Sequence, residues 1–117
     1  MTPKIPFRDY GESILDKYSV KLYARASRDI EEIYKYIANN ISEPLAAANI
    51  IDSFEKAILN LESFPERGSI RKSGIYANKN YRQLFVKNYV IIYKVLTTQK
   101  EVHVVTIRYA PDRKSVV

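Results

Sequence analysis

The sequence predicts a single α+β domain with the element order β-α-α-β-β-β, in which an N-terminal helical hairpin packs on one face of an antiparallel sheet. Apolar and polar residues alternate over residues 18–24, which is the period of a strand. Apolar residues then recur at helical spacing over 26–41 and over 47–61, which indicates two amphipathic helices. Three runs rich in β-branched and aromatic residues follow between 81 and 109. Helices and strands segregated along the chain in this way are typical of the α+β class.

The chain has 117 residues, which leaves room for one hydrophobic core. Residues 1–17 are mixed in character and contain two prolines and a glycine, so they are expected to form an N-terminal extension. The domain itself is expected over residues 18–117. Hydrophobic residues make up 46% and charged residues 27% of the chain, a balance that favours a globular over a disordered protein.

Composition excludes several classes of site. The chain has no cysteine and one histidine, which excludes a disulfide scaffold, a thiolate nucleophile and a sulfur-based zinc site. We therefore expect no metal and no cofactor. No apolar run reaches the roughly 18–20 residues that cross a bilayer, and the first residues carry both signs of charge without an apolar centre. A cytoplasmic protein without membrane contact is expected.

Capping residues place the helices more closely. The first helix carries its apolar stripe at Ala26, Ile30, Ile33, Tyr34, Ile37 and Ile41. Ser27 is its expected N-cap. The second helix is expected to have Pro44 in its first turn with Ser42 as its cap, and to stop before Pro65 and Gly68. The short link between the helices predicts an antiparallel pair.

The expected strands of the second half are Tyr81–Val86, Tyr89–Leu96 and Glu101–Tyr109, joined by tight turns. Before them lies a polar, basic loop over residues 66–80, which is longer than most connections in a compact domain. Its length is consistent with a functional or mobile loop and equally with a permissive surface loop.

Charge is divided unevenly between the two halves. Residues 1–65 hold 8 basic and 10 acidic side chains, a net charge of −2, whereas residues 66–117 hold 11 basic and 3 acidic ones, a net of +8. A concentrated positive field favours an anionic partner, either nucleic acid or an acidic protein. The alternative, a solvated face that only keeps the protein soluble, stays open from charge alone.

Four segments occur together in a family-specific order. They are ASRDIEEIYKY at 26–36, Phe64-Pro65-x-x-Gly68, Tyr81-Arg82-x-Leu84 and Tyr89-x-Ile91-x-Tyr93-x-Val95. In this order and spacing the chain resembles the RelE/ParE superfamily of bacterial toxins from about residue 18 to residue 113. The resemblance implies a growth-inhibiting toxin of a type II toxin–antitoxin module, linked to plasmid stabilization, which is neutralised by a cognate antitoxin that wraps around it.

The resemblance also implies one of two targets. RelE-like members cut messenger RNA on the ribosome without a metal, and ParE-like members poison DNA gyrase. Val90 stands where a RelE-like member has an active-site arginine, and Tyr81 and Gln83 stand where it has lysines. No tyrosine follows Arg113. These differences from the RelE pattern favour a toxin that poisons gyrase over a metal-independent endoribonuclease.

Two sets of residues are candidates for function. Arg82, Arg108 and Arg113 are the candidate catalytic residues, because a guanidinium can stabilise a phosphorane. For Arg82 the alternative is an ion pair with a helix carboxylate. The candidate nucleic-acid or partner-binding residues are Lys79, Tyr81, Lys87, Lys94 and Tyr109. We expect His103 to be a packed, hydrogen-bonded residue, and Tyr34 and Tyr93 to belong to the core.

A second class of function stays open, a non-toxic module on the same fold that binds an antitoxin or RNA. In either class the free chain is expected to expose an apolar groove on the helical hairpin or at a sheet edge, which an antitoxin covers. A homodimer, or a hetero-oligomer with the antitoxin, is compatible with the sequence, since an edge strand can pair with another chain.

Overall fold

A computed structural model describes residues 17–77 and 79–111. The expected extension over 1–17 therefore lies outside the described residues except for Lys17. The elements are β1 (Ser19–Leu22), α1 (Ala24–Lys35) with a π-helical turn (Tyr36–Asn40), α2 (Pro44–Asn60), β2 (Ser69–Ile70), β3 (Tyr81–Val86), β4 (Tyr89–Leu96) and β5 (Glu101–Tyr109).

The strands form one sheet in the order β1-β5-β4-β3-β2. The α+β class and the helical hairpin are confirmed, with two corrections to the sheet. It is mixed rather than wholly antiparallel, because β1 pairs in parallel with β5. The loop expected over 66–80 also contributes the short strand β2, which pairs antiparallel with β3. Alternation shows that a segment is a strand but not which strand it pairs with, and the intervening helices supply the long connection that a parallel pair needs.

Both predicted N-caps are wrong. α1 begins at Ala24, directly after β1, with Tyr23 as an N-cap that makes no side-chain hydrogen bond. Ser27 lies inside the helix and donates its backbone N–H to the Tyr23 carbonyl. Pro44 begins α2 as predicted, but its N-cap is Glu43 rather than Ser42. Tertiary packing sets these starts, since the chain has only one residue in which to turn from β1 into α1.

The core lies between the helices and one face of the sheet, here called the inner face. Its most buried residues are Ala26, Phe54, Ile58, Leu61, Ile91, Tyr93, Val102, Val104 and Ile107. Tyr93 is fully buried as expected, but Tyr34 is 43% exposed, so its assignment to the core is wrong. Tyr34 lies on the flank of the stripe whose centre is formed by Ile30, Ile33 and Ile37.

A close backbone approach joins the exit of α2 to the sheet. The buried Tyr93 hydroxyl accepts a hydrogen bond from the Gly68 N–H at 2.9 Å. A Cβ atom on Gly68 would come within 2.4 Å of the Gln83 carbonyl oxygen and 2.7 Å of the Tyr93 hydroxyl. Only glycine fits here, because side-chain carbons do not approach other atoms so closely. Burial raises the pKa of Tyr93, which keeps the phenol protonated, although Arg82 and Arg67 partly oppose the shift.

A chain of polar contacts fastens β1 to β5. Glu101 contacts Lys21 Nζ with one carboxylate oxygen at 2.9 Å and His103 Nε2 with the other at 2.9 Å. The other ring nitrogen of His103 lies 3.1 Å from the Tyr23 hydroxyl. Both imidazole nitrogens therefore have partners, as expected for a packed histidine. The hydrogen bonds from Lys21 and His103 lower the pKa of the Glu101 carboxyl below its ordinary value of 4.5.

We expect Gly68→Ala to lower the free energy of unfolding by about 1–3 kcal/mol, because the added methyl group overpacks the contact with β3. Tyr93→Phe should cost about 1–3 kcal/mol, because it leaves the buried Gly68 N–H without an acceptor. Urea unfolding followed by circular dichroism measures both. The matched control is the exposed Tyr34→Phe, and equal stability of the two Tyr→Phe variants would contradict this role of Tyr93.

Acid should weaken the β1–β5 contact. A carboxyl whose folded pKa is depressed stabilises the fold above its unfolded pKa, and this contribution disappears as the pH falls through the folded value. Thermal unfolding between pH 6 and 3 should therefore show that Glu101→Gln loses less stability on acidification below about pH 4.5 than the native chain does. Glu31→Gln, which removes an exposed pair with Lys35, is the control. Equal pH dependence of all three proteins would refute the assignment.

Candidate functional site

Two of the candidate catalytic arginines, Arg82 and Arg108, lie in the described residues, and they do not converge. Arg82 pairs across the sheet with Tyr93, whose side chain belongs to the core, so Arg82 projects from the inner face. Arg108 pairs with Val90, which precedes Tyr93 by three positions on β4. Because side chains alternate between the two faces of a strand, Val90 and Arg108 point to the opposite, outer face. Arg113 lies outside the described residues. Arg82 and Arg108 are therefore on opposite faces of the sheet and cannot act on one phosphate together.

Arg82 is engaged by the backbone of the chain that leaves α2. Its Nη1 donates to the carbonyl oxygen of Gly68 at 2.6 Å and to that of Glu66 at 3.3 Å. The expected alternative, an ion pair with a helix carboxylate, is not what the structure shows. Because carbonyl groups are neutral, the guanidinium holds the turn in place and keeps its positive charge.

Three candidates of the outer face form a stacked row with one loop residue. Tyr76 packs edge-to-face on Tyr81 with ring centroids 4.9 Å apart. The Arg108 guanidinium lies 5.3 Å from the Tyr76 ring centre, and Lys94 Nζ lies 5.6 Å from that of Tyr81. We call these four residues the aromatic row. Cation–π contacts of this kind contribute about 0.5–1 kcal/mol each at exposed sites. The contacts of Tyr76 with Arg108 and Tyr81 hold the loop that carries Tyr76 against the sheet.

The other binding candidates lie elsewhere. Lys79 is exposed in the turn before β3. Lys87 occupies the β3–β4 turn at a φ of 57°, the left-handed position for which the neighbouring Asn88 is the better-suited residue. Tyr109 is exposed at the end of β5 and packs edge-to-face on Tyr89, with ring centroids 5.5 Å apart. Lys87 and Tyr109 border a cleft on the inner side, across the sheet from the aromatic row.

That cleft has a volume of about 720 Å³ and lies between the end of α1, the start of α2 and the β3–β4 turn. Its lining residues are Asp29, Glu32, Ile33, Tyr36, Ile37, Ile41, Glu43, Ala46, Ile50, Lys87, Asn88, Tyr89, Ile107 and Tyr109. The floor is mainly aliphatic and aromatic, and the charged members are three carboxylates and one lysine. Burial raises the pKa of Tyr89, and the neighbouring Tyr109 and Tyr36 raise it further.

The length of the apolar stripe on the first helix is a sequence signal for this cleft. The apolar stripe of α1 continues into the π-helical turn as far as Ile41, which is 51% exposed. The apolar stripe of the helix therefore extends beyond the part of the sheet and of α2 that buries it. Periodicity identifies an apolar face but does not show where its partner ends.

Asp29 has a role that the sequence did not indicate. Its Oδ2 accepts hydrogen bonds from the Thr106 hydroxyl at 2.5 Å and from the Ile107 N–H at 3.0 Å. β1 accompanies β5 only as far as Val104, so Asp29 replaces the missing strand as an acceptor for the β5 edge. A carboxylate near the start of a helix is ordinarily read as a partner of the helix dipole, and sequence cannot distinguish the two roles.

Neither a metal cluster nor a membrane span is found in the described part of the chain. Residues 17–77 and 79–111 contain no group of three or more histidine, aspartate or glutamate side chains placed to share an ion. Among the same residues, no helix combines the length and the apolar character needed to cross a bilayer.

Three solved structures share this fold. A chromosomal ParDE system from P. aeruginosa matches at a TM-score of 0.66 with 20% identity, covering 81% of this chain and 98% of that one. The RelBE2 toxin–antitoxin complex from Mycobacterium tuberculosis matches at 0.57 with 18% identity, covering 82% and 94%. A mutant E. coli RelE toxin in the free state matches at 0.55 with 12% identity, covering 86% and 90%. With identities this low, the TM-scores show a likeness of the fold alone.

Sequence comparison identifies the family. No curated protein matches the chain significantly. A family model does, described as the ParE toxin of the type II toxin–antitoxin system parDE, and it spans residues 20–112. The match covers both helices and the strands β3 to β5. The chain therefore belongs to the family of ParE toxins of type II toxin–antitoxin systems.

Proposed function

We propose that this toxin arrests growth by binding and poisoning DNA gyrase in the cytoplasm, and that a cognate antitoxin neutralises it by filling the cleft. The observation that carries the choice of target is the placement of Arg82 and Arg108 on opposite faces of the sheet. A toxin that acts by binding needs no convergent catalytic groups, whereas a ribonuclease does.

Cleavage of RNA without a metal needs three groups around one phosphate. One removes the proton of the 2′-hydroxyl, one stabilises the phosphorane and one protonates the leaving 5′-oxygen. On the outer face Arg108 is engaged with Tyr76, and Val90, at the position of the expected arginine, is 2% exposed. His103 already uses both nitrogens. This arrangement supports a binding toxin.

The cleft supports the antitoxin part of the proposal. Tyr36, Ile41 and Tyr109 are all more than half exposed around it, so the cleft offers three accessible side chains with apolar surface to a partner segment. The carboxylates of Glu32 and Glu43 at its lining favour a partner segment that carries lysine or arginine beside its apolar anchors. The P. aeruginosa and M. tuberculosis neighbours are described as a toxin–antitoxin system and a toxin–antitoxin complex.

The target is tested with the purified toxin in two assays. We expect it to inhibit supercoiling by gyrase and to increase gyrase-linked DNA breaks, while primer extension on transcripts from induced cells shows no codon-phased cuts. Codon-phased cuts with unimpaired supercoiling would contradict the proposal and identify a ribonuclease.

The cleft is tested by Ile41→Ser with Leu59→Ser as the matched control. Leu59 is an aliphatic residue of α2 that is 60% exposed and does not line the cleft. Loss of an apolar anchor typically costs about 1–3 kcal/mol, so Ile41→Ser should bind the antitoxin about 5- to 150-fold more weakly and stay toxic when the antitoxin is co-expressed. Leu59→Ser should be neutralised like the native toxin. Equal neutralisation of both variants would refute the cleft as the antitoxin site.

A further inference from the structure

We infer that the turn formed by Gly74, Ile75 and Tyr76 is the element with which the toxin grips its target, a protein surface that offers an apolar pocket bordered by carboxylates. The inference rests on the proposed function, because it names the surface that engages gyrase. It also places target binding on the outer face, away from the cleft assigned to the antitoxin.

The turn projects one aliphatic side chain into solvent. Gly74 adopts a φ of 78°, a left-handed conformation that reverses the chain, and the Ala77 N–H closes the turn on the Gly74 carbonyl at 3.1 Å. Ile75 at the tip is 69% exposed. A single exposed aliphatic residue is ordinary on a protein surface, so this exposure alone indicates nothing.

What distinguishes Ile75 is that both sides of its turn are fastened to the sheet. On one side, Arg71 donates its backbone N–H to the Tyr81 carbonyl at 2.7 Å and its Nη1 to Gln83 Oε1 at 2.7 Å. On the other side, Tyr76 lies between Tyr81 and the Arg108 guanidinium in the aromatic row. An anchor that is already ordered loses less conformational entropy on binding, which is the property expected of a pre-formed contact.

The described residues around the turn carry a local excess of positive charge. Residues 67–100 contain eight lysines and arginines and no aspartate or glutamate. Two of these cations, and Arg108 from β5, have neutral partners near the turn: Arg71 donates to an amide oxygen, and Lys94 and Arg108 lie over tyrosine rings. Among the described residues none of these three pairs with a carboxylate, and their charge remains available to an acidic partner.

An acidic protein fits this surface better than a nucleic acid does. Binding of unpaired bases relies on stacking on aromatic faces, and a cation already lies over one face of each of the Tyr76 and Tyr81 rings. The outermost group is instead the aliphatic Ile75, for which a phosphate backbone offers no apolar counterpart. An apolar anchor in a pocket, surrounded by charge pairs at the rim, is the usual plan of a protein hot spot.

The test uses the full-length toxin and immobilised gyrase. We expect Ile75→Ser to weaken gyrase binding and supercoiling inhibition about tenfold or more, which is the loss typical of an interface anchor. The double charge reversal Lys72→Glu/Lys79→Glu should slow association and flatten its dependence on salt. Leu59→Ser should stay within about twofold of the native toxin, and all variants should bind the antitoxin normally, which shows that they are folded.

Failure of the inference can be told apart from failure of the target assignment. If the native toxin does not bind gyrase, growth inhibition is the readout, and loss of toxicity in Ile75→Ser but not in Leu59→Ser still supports the turn with another acidic protein. Native-like gyrase binding and toxicity of Ile75→Ser would overturn the inference. The inference would also be overturned if Ile75→Ser kept native gyrase binding while Lys72→Glu/Lys79→Glu abolished binding to DNA. The surface would then recognise nucleic acid.

Discussion

The fold depends on a point where the backbone has no room for a side chain. Gly68 lies between the Gln83 carbonyl and the Tyr93 hydroxyl, and its N–H is held by that hydroxyl. This contact fixes where the chain leaves α2 and enters β2. Arg82 secures the same turn through two carbonyl oxygens. Because the exit from α2 is fixed, the following residues cross the edge of the sheet. The Gly74–Tyr76 turn therefore lies on the outer face.

This crossing gives the protein two surfaces of different character. On the inner side the helices leave an apolar cleft that contains acidic side chains, and on the outer side the aromatic row holds a turn that basic side chains surround. Arg82, Arg71 and Lys94 contact carbonyl groups, a side-chain amide and a tyrosine ring, respectively, and ordering them on these neutral partners does not neutralise their charge. A ParE-family toxin has to recognise a target and an antitoxin, and separate surfaces of opposite charge allow each partner to be selected by its own complementarity.

Sequence reasoning could predict the periodic parts of this structure. The strands β3, β4 and β5 have the expected bounds, and Pro44 begins the second helix, because alternation and proline chemistry act locally. The parallel pairing of β1, the cap residues and the exposure of Tyr34 depend on contacts distant in sequence. The site was harder still. Residue type makes Arg82 and Arg108 equal candidates, and only the register of β4 with both neighbours shows that they lie on opposite faces. No sequence motif indicates a role for Ile75 or Asp29, so their positions in the structure could not be predicted from the sequence.

Hydrogen exchange on the toxin, alone and with each partner, tests the central claim that the two surfaces are separate. Gyrase should slow exchange at residues 71–77 and leave residues 36–41 unchanged, whereas the antitoxin should protect 36–41 and the end of β5. Protection of residues 36–41 by gyrase with no change at 71–77 would contradict the account, because both partners would then compete for the cleft.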